Sequence, residues 1–188
     1  MSHWWEPPAS ILPEQLAQPE WADVVVVGLG YAGTAAVRAA AEAGASAIGL
    51  EMKRRERYIS FGRDIGHINS KFLASRGVPP VDPIALYNEL LRRAGNRVLP
   101  SLLMRFAQNS GEAFDWFTDA YGVDGLDAVK VAFWPNGAES FKRYPGADYN
   151  GYHFWNGTAQ FPDPRGWPGT PTLPDVVMAN LEKAEALG

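Results

Sequence analysis

The 188-residue sequence contains no cysteine. Disulfides, thiolate nucleophiles and cysteine-ligated zinc or iron–sulfur centres are therefore excluded within the chain, while the redox compartment stays open. Histidine is scarce: His3, His67 and His153 are the full set. None stands at a metal-ligand spacing from carboxylates, so no metal site is expected. Long apolar runs are missing as well, and nothing approaches the ~18–20 residues of a membrane span. The opening stretch, MSHWWEPPASILPEQLAQPEW, has four prolines and lacks the basic-then-apolar order of a secretion signal. A cytoplasmic protein without a membrane partner is expected. A concentrated basic face is also lacking. The 17 basic and 21 acidic residues leave a net charge of −4, and the basic ones are spread out, which argues against a nucleic-acid partner. Hydrolase, NTPase and zinc-protease signatures (G-x-S-x-G, the Walker phosphate loop, H-E-x-x-H) are absent too.

What is present begins with DVVVVGLGYAG, Asp23 to Gly33. Val24 to Val27 are β-branched and apolar throughout, as in a strand buried on both faces of a parallel sheet. Thr34 to Ala43 is alanine-rich and predicts a helix, with Gly44 where a C-terminal capping glycine belongs. Ala47 to Leu50 predicts a second short strand, closed by Glu51.

Gly28-Leu29-Gly30-Tyr31-Ala32-Gly33 matches G-x-G-x-x-G in the context that pattern needs: a strand before it, a helix opening within it, and an acid ending the next strand. Gly28 permits the turn, Gly30 lets a pyrophosphate approach the backbone, and Gly33 lets helix and strand pack closely. The phosphates then face free N–H groups at the positive end of the helix. Glu51 stands where an acid hydrogen-bonds a ribose, and its charge disfavours a 2′-phosphate. A dinucleotide site is expected, and this unit alone does not separate NAD from FAD.

Residues 52–81 read as a long polar connection without periodicity, a kind of loop that is usually functional. Within it Lys53 to Arg57, KRRER, reads as a solvated charge run. Asp82 and Pro83 form an N-cap and first-turn pair, opening a helix to Ala94 that stops at Gly95. A second helix covers Leu102 to Tyr121, with Leu103, Phe106, Ser110, Phe114, Phe117 and Tyr121 at three- and four-residue steps. Residues 131–171 carry six glycines, six prolines and ten aromatics with six charges, too aromatic for a disordered linker. They read as irregular structure packed over the core, with His153 among the aromatics. Helix character returns from Leu173. The expected divisions are an extended lead-in over 1–21, a nucleotide-binding region over 22–130, and an aromatic segment with a terminal helix over 131–188.

A nicotinamide dehydrogenase usually resumes strand–helix alternation soon after the acid, whereas here a long loop and two helices follow. The stretch Asp23 to Glu51, the loop FGRDIGHINSKF and the helix pair resemble the N-terminal part of FAD-dependent oxidoreductases of the fumarate reductase and succinate dehydrogenase flavoprotein type, a group that includes 3-ketosteroid dehydrogenases. The phrase A-x-N-S-x-E-A-x-D-W recurs in that family and is present as Ala107, Asn109, Ser110, Glu112, Ala113, Asp115 and Trp116. The resemblance covers about residues 22–125.

It implies an α/β, Rossmann-like FAD-binding fold with a parallel sheet, incomplete in this chain. It implies that Gly28, Gly30, Tyr31, Ala32 and Gly33 hold the pyrophosphate of FAD. Glu51 would bind the adenosine ribose, with Met52 and Lys53 beside it. Gly62, Asp64, Ile65, Gly66 and His67 would pass along the ribityl chain and flavin. Met52 stands where the family usually has lysine, and GRDIGH replaces its GGNS-like run. The implied reaction is hydride transfer between flavin and an activated C–C bond of an unsaturated acid, ketone or steroid, a small-molecule substrate. The residues that bind substrate and donate protons in the family have no counterpart in these 188 residues. The chain is thus expected to be the first part of a longer flavoprotein, completed by a further C-terminal segment or another subunit. An NAD-binding Rossmann dehydrogenase and a non-catalytic nucleotide-binding fragment are the alternatives.

Overall fold

The computed structural model describes residues 6–7, 10–55, 58, 64–95, 97–122, 126–132, 158–162 and 172–188. Gly62, His153 and most of the aromatic segment lie outside these.

Strand β1 (Val24–Val27), helix α1 (Tyr31–Glu42) and strand β2 (Ala47–Leu50) form a β–α–β unit. The strands pair in parallel, Val24 with Ala47 through Val27 with Leu50. Their entry is clasped by side chains: Asp23 Oδ2 accepts from the Ser46 N–H at 3.0 Å and hydroxyl at 2.9 Å, and Ser46 Oγ accepts from the Asp23 N–H at 3.0 Å. At the far end of α1, Gly44 takes φ +79°, a left-handed conformation that costs a glycine little. The helix thus starts three residues earlier than its alanine run, inside the glycine turn itself.

The expectation that β1 is buried on both faces needs correction. Among the described residues α1 packs on one face of the pair, while Val25 and Val27 are 57% and 82% exposed. A four-valine run specifies a strand that can be sandwiched, but covering the second face takes another layer, which the sequence of the strand itself does not encode.

The expected featureless connection over 52–81 also needs correction. It contains strand β3 (Asp64–Gly66) and helix α2 (Lys71–Ser75), followed by α3 (Pro83–Arg93) and α4 (Pro100–Asp119). Asp82 caps α3 as expected, accepting from the Ile84 N–H at 3.0 Å. Pro100 takes the first turn of α4, where its missing N–H costs nothing. Strands β4 (Lys130–Ala132) and β5 (Thr158–Gln160) complete an antiparallel sheet with β5 central, pairing Ile65 with Ala159 and Val131 with Ala159. Helix α5 (Leu173–Leu187) then packs along α1.

The main core joins these parts. Phe72, Leu73, Phe114, Val129, Phe161 and Val176 are all buried in it. A smaller cluster of Ile68, Leu86 and Ala107 lies between α3 and α4. Beside them sits a buried cation, Arg38 of α1. Its Nη1 donates to the Trp116 carbonyl at 2.6 Å and to Asn180 Oδ1 at 2.8 Å, and its Nε donates to Glu42 at 2.8 Å. Nη2 lies 2.7 Å from Asp119, a charge contact rather than an aligned hydrogen bond. The Trp116 ring covers the guanidinium at 4.1 Å. One side chain therefore ties α1 to α4 and α5.

Candidate nucleotide site

The site grows from the turn between β1 and α1. Gly28 has φ +89°, and its N–H still donates across the sheet to the Leu50 carbonyl at 2.7 Å. A Cβ on Gly33 would overlap the Gly28 carbonyl oxygen, so α1 crosses the strand end at a distance that only glycine allows. Gly30 has neither constraint: its φ of −66° suits any residue, and a Cβ there meets nothing within 4 Å, leaving open space at the helix start. The first-turn N–H groups of an α-helix have no partner inside the helix and carry its positive end. Open space in front of such amides suits a phosphate.

Glu51 closes the other side. Its Oε2 accepts from the Leu29 N–H at 2.8 Å and its Oε1 from the Lys53 N–H at 3.0 Å. The Lys53 amide first and the Leu29 amide second hold this carboxyl below the usual carboxylate range. With the Met52 amide as a third donor, the carboxylate still keeps a lone pair for a ribose hydroxyl. Met52 is 94% exposed, and Lys53 and Arg55 stand beside Glu51 around a small cavity of ≈ 130 Å³, which α5 borders through Met178. Arg55 is exposed, in keeping with a solvated charge run, yet it pairs with Glu185 at 2.7 Å and Glu182 at 3.4 Å of α5.

Tyr31 and Ala35, in the first turns of α1, border a larger cavity of ≈ 590 Å³, mostly apolar. Tyr31, Asp64, Ile65 and Gly66 line it together with Phe114 and Phe117 of α4. The turn residues Gly28 to Gly33, Glu51 to Lys53, and Asp64 to Gly66 thus come together around one helix end.

His67 is set apart from them. It is 1% exposed, its ring stacked on Phe114 with centroids 3.8 Å apart. Nδ1 donates to the Ile65 carbonyl at 3.0 Å, which leaves Nε2 to accept from the Ser70 hydroxyl at 2.8 Å. Burial drives its pKa down to about 4. A neutral, fully bonded histidine supports β3 from behind and offers the cavity no free atom.

The recurrent phrase on α4 turns out to hold the same segment in place. Ser110 Oγ accepts from the Ile68 N–H at 3.2 Å, and a Cβ on Gly111 would overlap the Ile68 carbonyl oxygen. Asp115 accepts from the N–H groups of Lys71 at 2.8 Å and Phe72 at 3.4 Å at the start of α2, and Trp116 covers Arg38. Sequence reasoning missed two residues at the turn itself. Buried Thr34 donates its hydroxyl to the Leu29 carbonyl at 2.9 Å, and Tyr58 donates to the same oxygen at 2.8 Å. A hydroxyl inside an alanine run was the available signal for Thr34. Tyr58 had none.

No protein-family profile matches the chain. Over 105 residues, 55% of its length, it is 32% identical to the NADH:fumarate oxidoreductase of Klebsiella pneumoniae (strain 342). The match spans 11% of that protein's length. Among solved structures, its fold is similar to the 3-ketosteroid-Δ4-(5α)-dehydrogenase of Rhodococcus jostii RHA1, solved in complex with 4-androstene-3,17-dione. That superposition has a TM-score of 0.57 at 20% identity and covers 90% of this chain and 37% of the dehydrogenase chain. The fold is therefore a partial Rossmann-like α/β unit of the kind found in that enzyme. The stretch that is 32% identical to a fumarate oxidoreductase bears out the resemblance to oxidoreductases of that type.

Proposed function

We propose that this chain is the FAD-binding portion of a flavin-dependent oxidoreductase that passes hydride between flavin and an activated C–C bond of an unsaturated acid, ketone or steroid. The observation that carries the reading is the placement of two unlike features at the α1 N-terminus. The Glu51 carboxylate is bonded to the Leu29 amide just before it, and the ≈ 590 Å³ apolar cavity is bordered by Tyr31 of its first turn and by Asp64 to Gly66. FAD has that polarity, a ribose at one end, a pyrophosphate between, and a broad apolar ring at the other.

Gly28, Gly30 and Gly33, with the amides of Tyr31 and Ala32, would hold the pyrophosphate. Glu51 would accept from the ribose, with Met52 and Lys53 bordering the adenine. Asp64, Ile65 and Gly66 would flank the flavin, and His67 would position Ile65 through its carbonyl. Bound FAD would supply two-electron hydride chemistry that no side chain provides. The chain's own part is to bind, to orient, and to keep water from an apolar cavity. The ionised Glu51 would repel a 2′-phosphate, so NADP is disfavoured.

Titrating the chain with FAD while following the flavin absorbance and fluorescence tests this reading. Saturable binding is expected, with loss in a Gly30→Val variant and no competition from NADP. Absence of saturable FAD binding, or tighter binding of NAD than of FAD, would overturn it.

A further inference from the structure

The amides of a phosphate-binding turn point where their peptide planes are held. A glycine-flanked peptide has little of its own to stop it from rotating. The peptide between Leu29 and Gly30 is such a unit, and it carries the Gly30 amide, at the residue that opens α1 with free space beside its Cα. A trans peptide sets its C=O and N–H in opposite directions. Whatever pins the Leu29 carbonyl therefore aims the Gly30 N–H.

Two hydroxyls pin it. Thr34, fully buried in the first turn of α1, donates to that oxygen at 2.9 Å, and Tyr58, from the stretch after β2, donates at 2.8 Å. Together they occupy both lone pairs of one carbonyl. One residue back along the chain, Glu51 holds the Leu29 N–H at 2.8 Å. Both peptides that meet at Leu29 are thus anchored by side chains from three different segments.

We propose that Thr34 and Tyr58 are positioning residues of the nucleotide site, jointly orienting the Leu29–Gly30 peptide so that the Gly30 N–H faces the phosphate. This deepens the nucleotide-site reading above and rests on it. Either hydroxyl alone keeps the carbonyl bonded. Losing both leaves an unpaired carbonyl between two glycines, and its peptide is then free to turn.

The test is calorimetric titration of the full chain with ADP, which probes the turn and Glu51 without the flavin end. Thr34→Val and Tyr58→Phe should each weaken ADP binding by ~3-fold, the loss of one shared hydrogen bond. The double variant should lose ~30-fold or more, beyond the product of the singles, because the carbonyl is left unpaired. Thr34→Ser, which keeps the hydroxyl, should bind like the parent. Hydrogen exchange without ligand should show the Gly30 amide faster in the double variant while the α4 amides stay unchanged. If the double variant does not fold, the single variants decide by their ADP affinity. ADP affinity within twofold of the parent in the double variant, or a loss that Thr34→Ser reproduces, overturns the assignment; for the singles alone, an ADP affinity equal to the parent's in both does so. A parent chain that binds no ADP overturns the nucleotide-site reading itself, and this assignment with it, before any variant is compared.

Discussion

His67 shows how a residue can look like a ligand contact and act as a packing group. Its ring is stacked, buried and bonded at both nitrogens, and burial keeps it neutral down to pH about 4. An unfolded chain would take up the proton near 6.5. The folded value is the lower one, so the stabilisation is complete above pH 6.5 and is lost as the pH falls towards 4. Across that window stability should drop by ~1.4 kcal/mol per pH unit from this group. Urea unfolding at a series of pH values should show that slope in the parent chain, and its absence in His67→Gln. Equal slopes in both would mean that the ring is accessible and ordinary. The sequence could place His67 in the loop after β2, but whether it faces a ligand or the Phe114 ring is decided by α4, more than forty residues on.

At the scale of elements, the legible ones were those with local signals. β1, α1 and β2 each announce themselves by β-branching, alanine content and a capping glycine, and α3 by Asp82-Pro83. β3 and α2 went unread because three- and five-residue elements have no period to detect, and because their supports are distant. β3 pairs with β5, and α2 is capped from another helix by Asp115. That cap gives a prediction. Asp115→Ala should cost ~1 kcal/mol, the usual loss for an N-terminal cap, read as a lower denaturant midpoint. Hydrogen exchange should quicken at Lys71 and Phe72 but not in α3. The candidate site divides in the same way. The glycines and Glu51 were legible from spacing, whereas Thr34 and Tyr58 act on a backbone carbonyl, which no side-chain pattern reveals.

In the molecule as a whole, a parallel unit that carries the glycine turn and an antiparallel unit that lines the larger cavity meet across α1, α4 and α5. Arg38 is a buried polar tie between them, bonded to Trp116 and Asn180 and paired with Glu42 and Asp119. Arg38→Met would keep much of the volume but leave the Trp116 carbonyl and Asn180 amide oxygen without this donor. The expected cost is ~3 kcal/mol or more, with Arg38→Lys recovering little because an ammonium cannot fork to several acceptors. Guanidinium unfolding followed by tryptophan fluorescence would measure it, since Trp116 lies over the guanidinium. A cost below 1 kcal/mol would show that the helices hold together without the tie.

The close approaches at Gly33 and Gly111 bear on how this sequence can drift. Every missense change at a glycine codon adds a Cβ, and at these two positions that atom falls on the Gly28 and Ile68 carbonyl oxygens. Gly30, the same letter in the same fingerprint, opens on empty space. Selection for folding alone would therefore fix two of these three glycines, while on the proposed nucleotide-site reading the third is kept only by the ligand it admits. A descendant that no longer bound its ligand would lose Gly30 first.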